Sequence, residues 1–189
     1  MVRRLQGTLS SNLIQKLPLA TFRAEFMGRN YGVPAEFLVY EKPPQWTFDH
    51  ALAFTMIHDV RIRPCGVNSA LEKMASIWDV MTKFGVSKAE WHPYWETNPP
   101  ATVQSDTVKV SLYLGGSKKA GGGRVLLIVS NLGMEETTAQ VNLDSKQLRL
   151  RESGTTAKDA LTGESLKLET GRLTVPLQSM RMRTGICLK

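Results

Sequence analysis

The pattern of the chain changes near residue 100, and that change limits what it can fold into. Residues 1–100 read as helices alternating with short apolar strands and hold all four tryptophans, Trp46, Trp78, Trp91 and Trp95. Beyond residue 100, short strands alternate with Gly, Asn and Asp turns, without tryptophan and with a single tyrosine, Tyr113. An α/β piece followed by an all-β piece predicts two architectures in one chain. The expected division is an α/β part over 1–90, a linker over 91–100 and an all-β part over 101–189.

In the first part, Phe22 and Phe26 stand at i, i+4 behind Thr21, which predicts a helix over 19–30 that ends towards Gly28 and Gly32. Glu36–Glu41 is a short apolar run between Pro34 and Pro43-Pro44, the pattern of a buried parallel strand. Thr47 or Asp49 caps a helix to about Ile57, Asp59–Arg63 alternates as a second strand, and Asn68 or Ser69 opens a helix to Phe84. In that helix Leu71, Met74, Ile77, Trp78 and Met81 follow helical spacing, and Gly85 closes it. Strands separated by crossover helices pair in parallel. Two such strands cannot bury both faces of a sheet, so the pattern predicts that further strands come from upstream polypeptide or from another chain.

In the second part, strands are expected over Val108–Leu114, Arg124–Ser130, Thr138–Asn142, Gln147–Leu150, Ser165–Glu169, Arg172–Pro176 and Met182–Leu188. Six or seven short strands at this spacing predict an antiparallel sandwich.

Composition narrows the functional classes. Of the net charge of +7, +2 falls in residues 1–100 and +5 in residues 101–189. The basic residues occur as pairs, Lys118-Lys119, Arg149/Arg151 and Arg181/Arg183, in a half nearly free of aromatics. Nucleic-acid binding calls for a basic stripe interleaved with aromatics, so no nucleic-acid partner is expected. No apolar run reaches the ~18 residues of a spanning helix, so no membrane partner is expected. Polar residues interrupt the N-terminal stretch, which lacks the pattern of a secretory leader. Cys65 and Cys187 match no metal spacing, and the three histidines form no His-x-x-x-His pair. Neither a metal nor another cofactor is expected. Gly121–Gly123 lacks the following Lys-Ser/Thr of a phosphate loop.

Several segments resemble a known architecture. Val108-Lys-Val-Ser-Leu-Tyr113, Val125-Leu-Leu-Ile-Val-Ser-Asn131, Ala157-Lys-Asp-Ala-Leu-Thr-Gly163 and Gly171-Arg-Leu-Thr-Val-Pro176 are similar to the C-terminal sandwich that follows the (β/α)8 barrel in many glycoside hydrolases. There a (L/V)VSN strand and a DAxTG turn recur. Phe26–Leu38 and Trp91-His-Pro-Tyr-Trp95 resemble bacterial glycoside-hydrolase-like proteins near the family 123 group. The resemblance spans about residues 18–189. It implies a partial barrel: Glu36–Glu41 and Asp59–Arg63 would be the seventh and eighth strands, and 68–84 the last helix. An antiparallel sandwich would follow and brace it. Family 123 enzymes are expected to use an adjacent Asp-Glu pair assisted by the substrate's acetamido group, and this chain has no Asp-Glu dipeptide. The resemblance therefore implies a C-terminal portion without hydrolase activity of its own, with a carbohydrate as partner and self-association through the open barrel. The alternative is a carbohydrate-binding or structural module with no catalytic parent.

Barrel chemistry sits at the C-terminal ends of strands, and glycoside hydrolysis uses two carboxyl groups about 5–10 Å apart. Glu41, beside Tyr40, stands at such an end and is the single catalytic candidate, facing a sugar hydroxyl or tuning a neighbour; the other reading is a solvated carboxylate. Arg61 and Arg63 suit an anionic or hydroxyl-rich substrate, or else an ion pair with Asp59 or Glu90. Trp91 and Trp95, with Tyr94, offer flat faces to sugar rings, or else plug the boundary between the two parts. His58-Asp59 reads as a helix-terminal histidine rather than a catalytic pair, since no nucleophile elbow accompanies it.

Overall fold

The computed structural model describes residues 18–26, 36–39, 47–64, 68–116, 123–151, 154–179 and 181–188. In the first part, helix α1 (Leu19–Phe26) precedes strand β1 (Glu36–Val39), helix α2 (Phe48–Thr55), strand β2 (Arg61–Pro64) and helix α3 (Asn68–Phe84). Thr47 caps α2, its hydroxyl accepting from the His50 amide. A single 3-10 turn, Met56–His58, extends the helix and ends at Asp59, which takes the left-handed conformation at φ 55°. β1 and β2 pair in parallel, Glu36 opposite Arg61 through Val39 opposite Pro64. The expected order of helices and strands is present, with α2 as the crossover between the two parallel strands.

On α3 the buried stripe runs through Ala70, Ile77 and Phe84, with Met74 and Met81 packed between them. Leu71, expected on that face, is 52% exposed because it sits one position off the stripe. Gly85, at φ 84°, ends the helix.

Short strands make up most of the second part. They are β3 (Glu90–His92), β4 (Ala101–Val103), β5 (Val108–Gly115), β6 (Arg124–Asn131), β7 (Thr137–Leu143), β8 (Ala157–Asp159), β9 (Ser165–Leu166), β10 (Leu168–Glu169) and β11 (Arg172–Leu177); β12 (Met182–Leu188) completes the set. They form a four-stranded sheet, β10-β11-β7-β4, and a six-stranded sheet, β3-β5-β6-β12-β8-β9. Every pairing in both sheets is antiparallel.

The two sheets share one apolar interior. Val108, Val110, Leu112 and Leu114 of β5 and Val125, Leu127 and Val129 of β6 meet Val141 of β7 and Leu173, Val175 and Leu177 of β11 there. The alternate residues of β5 and β6 turn the other way, and they are buried too. Tyr113, Leu126 and Ile128 join Phe54, Ile57, Ile62 and Ile77 in a second core. Strand residues alternate between faces, so near-continuous burial along β5 and β6 means that both faces of this sheet are covered. The six-stranded sheet is the shared middle layer, with the second sheet on one side and the helices on the other.

Some expectations are corrected here. Residues 147–150 form a turn, not a strand. Asp144 accepts hydrogen bonds from the Gln147 amide at 2.9 Å and from the Gln147 side chain at 2.8 Å, and Arg149 adopts a positive φ. Leu148 nevertheless reaches the core, so an apolar anchor in a loop imitates a strand. The segment 165–169 divides: β9 joins the six-stranded sheet and β10 the four-stranded one. Residues 90–92, across the boundary between the expected α/β part and the expected linker, add β3 to the edge of the six-stranded sheet beside β5. Gly123 is a point of close approach between backbone segments. A Cβ there would lie 2.0 Å from the Leu148 carbonyl oxygen.

The VSN and DAxTG motifs both build turns. Asn131, the last residue of Val129-Ser130-Asn131, is buried and donates to the Glu135 carbonyl at 2.7 Å and the Gln178 carbonyl at 3.1 Å. Its side-chain oxygen accepts from the Gly133 amide at 2.9 Å. Asp159, opening Asp-Ala-Leu-Thr-Gly, accepts from the Leu161 and Thr162 amides at 2.9 and 3.0 Å, and Gly163 completes the turn at φ 76°.

Candidate functional site

Among the described residues, polar and aromatic side chains cluster where the 3-10 turn Met56–His58 meets the face of β5 that packs on the helices. β5 presents Ser111 and Tyr113 there. The Ser111 hydroxyl donates to the Ile57 carbonyl at 2.8 Å and accepts from the Tyr94 amide at 3.1 Å. The Tyr113 hydroxyl donates to Asp59 Oδ1 at 2.6 Å. Two alternate residues of one strand thus hold both the carbonyl and the carboxylate that close α2.

His58 is buried among Phe22, Phe54, Tyr94 and Trp95. Its Nδ1 lies 2.6 Å from the Phe54 carbonyl oxygen, which only accepts, so Nδ1 carries the proton. Nε2, 3.1 Å from the Tyr94 hydroxyl, then accepts from it. Burial brings the imidazole down from 6.5 to about 4, and the positive charge of Arg23 acts in the same direction. The ring is therefore neutral near pH 7 with both nitrogens engaged. Its role at the helix end is as a neutral donor to a carbonyl, not as a charge on the helix dipole. Burial pushes the Tyr94 phenol up to about 12. It raises the Tyr113 phenol further, with the Asp59 charge adding to the effect. A neutral saturated histidine and two protonated phenols offer neither a base nor a nucleophile. The cluster's chemistry is that of a joint between layers.

The structure distributes the expected site residues unevenly. Trp91, on β3, lies against Tyr113 with ring centroids 4.5 Å apart. Trp95 stacks on His58 at 5.5 Å and 23°, and the Arg23 guanidinium lies 5.2 Å from the same indole. Both tryptophans are half-buried within the joint. Arg61 opens β2 rather than ending it, and its guanidinium lies 6.0 Å from the Trp78 ring. Arg63 is the third residue of β2. Tyr40 and Glu41 lie outside the described residues. Among the described residues, Trp91 and Trp95 come into one neighbourhood, beside the turn that enters β2. Ser111 and Tyr113 are joint residues that the sequence pattern alone did not single out. The available signal is a serine and a tyrosine at i, i+2 in a strand whose other alternate residues, Val108, Val110, Leu112 and Leu114, are all apolar.

Among the described residues no group of three or more His, Cys, Asp or Glu side chains is arranged to hold a metal ion. No described helix is long and apolar enough to cross a membrane.

The fold, antiparallel sheets with few helices, is similar to that of glycoside-hydrolase domains. A noncanonic maltogenic alpha-amylase from Thermotoga neapolitana aligns over 85% of this chain and 42% of its own, at 12% identity and a TM-score of 0.51. An Anoxybacillus alpha-amylase aligns over 94% of this chain and 33% of its own, at 10% identity and a TM-score of 0.49. Alpha-galactosidase I from Mortierella vinacea aligns over 80% and 37%, at 12% identity and a TM-score of 0.49. The chain spans less than half the length of these structures. More particularly, residues 73–164 match the family model of the glycoside hydrolase 123 C-terminal domain, a stretch running from α3 to the turn after β8. No curated protein matches the chain.

Proposed function

We propose that the chain is the C-terminal portion of a carbohydrate-active protein resembling a glycoside hydrolase. The β1-α2-β2-α3 segment corresponds to the last two βα units of a (β/α)8 barrel. The paired antiparallel sheets form a sandwich that braces those units, and the chain alone does not hydrolyse glycosides. The proposed domain limits are 1–90 for the barrel part, 91–100 for the join and 101–189 for the sandwich, with β3 at the boundary reaching into the sandwich sheet.

One observation carries this reading. β1 and β2 form a parallel pair joined by a crossover helix, and among the described residues no third strand pairs with either. Parallel sheets persist with both faces covered and with several strands. The family match and the polar joint support the bracing role. Ser111 and Tyr113 grip the turn that enters β2, on the face that serves stability in barrels. Catalytic groups belong at the opposite end, where Tyr40 and Glu41 follow β1 in sequence. An open parallel edge also gives the isolated chain a route to self-association.

The test is turnover. Incubating the 189-residue chain with a panel of aryl glycosides, including the N-acetylhexosaminides, should release no aglycone above background. Steady turnover by the purified chain, lost in Glu41→Gln, would refute the non-catalytic assignment.

A further inference from the structure

We infer that the cleft between the beginnings of α2 and α3 and the β11–β12 connection binds a neutral, hydroxyl-rich saccharide. The inference rests on the carbohydrate reading above and gives it a location. The cleft measures about 980 Å³, at the upper end of the usual range for ligand sites. It lies where helices begin after parallel strands end, the side on which α/β folds place their ligands.

Its walls are held in place. Asp49, in the first turn of α2, pairs with both Lys73 of α3 and Arg181 of the β11–β12 connection. Asn131 ties the opposite wall together. It donates to the carbonyls of Glu135 and Gln178, and its amide donates to the Arg181 carbonyl at 2.8 Å. The groups lining the cleft are therefore positioned before any ligand arrives.

The lining selects the ligand class. Lys73 and Arg181 are partly exposed at their ion pair and carry more N–H donors than one carboxylate can take up. Asp49 and Glu136 supply carboxylate acceptors, and Thr138 and Gln178 add groups that both donate and accept. The other lining cation, Arg183, is taken by Glu164 at 2.8 Å. Two remaining cations face two anions, so the cleft has no net charge to select an ion. Interleaved donors and acceptors fit adjacent hydroxyls, each of which does both. Pro176, exposed on the same wall, offers apolar surface to a ring's C–H face. Trp91 and Trp95 lie instead in the joint, against Tyr113 and His58.

The experiment is titration of the full chain by calorimetry with maltohexaose, cellohexaose and chitohexaose, and with hexagalacturonate as the acidic counterpart. At least one neutral oligomer should bind, and hexagalacturonate should not bind more tightly. Gln178→Ala and Arg181→Met should each weaken binding about tenfold or more. Gln178 keeps its backbone contacts in the first variant, so fold is preserved even if Arg181→Met is unstable. Preference for hexagalacturonate, or unchanged affinity in Gln178→Ala, overturns the inference while leaving the carbohydrate reading intact. Absence of binding to every oligomer overturns both the inference and the carbohydrate partner, while the bracing role remains measurable through unfolding.

Discussion

At the scale of the residue, His58 shows how burial fixes a protonation state and ties stability to pH. Its folded value of about 4 lies below the ordinary 6.5. The unfolded chain therefore takes up the proton first as pH falls. The associated stability is complete above about pH 6.5 and is lost as pH drops towards 4. The difference corresponds to about 3 kcal/mol across that window. Thermal unfolding of the native chain and of His58→Gln, measured from pH 7 to 4, should show the native chain losing its advantage as pH falls. A constant difference between the two would mean that His58 does not titrate differently in the folded state. Sequence reading places this histidine at a helix end correctly, because helical spacing is local. Its neutrality depends on Phe22 and Trp95, which enclose it from 36 and 37 residues away, and no local pattern reports such packing.

At the scale of the element, β5 joins two cores with alternate faces. Val110 and Leu112 face the second sheet, while Ser111 and Tyr113 face the helices. Replacing Ser111 with alanine leaves the buried Ile57 carbonyl and the Tyr94 amide without their partner. The expected loss is about 1–3 kcal/mol, read as a lower midpoint in urea with an unchanged slope. Ser111→Thr should recover part of it by keeping the hydroxyl. Equal stability of Ser111→Ala and the native chain would show that the joint contributes nothing. The long strands β5, β6, β7, β11 and β12 are legible in the sequence, because their length is enough to show a run or an alternation. β3, β4 and β8 have three residues each, too few for any period to appear. They exist because neighbouring strands offer them free edges. The turn at 147–150 misleads for a related reason: Leu148 supplies a core contact without strand geometry. The candidate site is less legible than the fold. Aromatic residues clustered at 91–95 announce a contact surface, but their partners Tyr113 and His58 come from other elements.

At the scale of the whole molecule, a bracing role makes the parallel βα pair and the antiparallel sheets one cooperative unit. The six-stranded sheet serves both cores, so opening one exposes a face of the other. Leu173 lies wholly within the core between the two sheets, one sheet away from α2. Native-state amide exchange of Leu173→Ala against the native chain measures the coupling most directly. The substitution should cost about 2–5 kcal/mol. Amides in α2, such as those of Phe54 and Thr55, should gain exchange rate by the same factor as those in β6. If the α2 amides keep their native rates while β6 accelerates, the helices unfold on their own, and the sheets do not brace them.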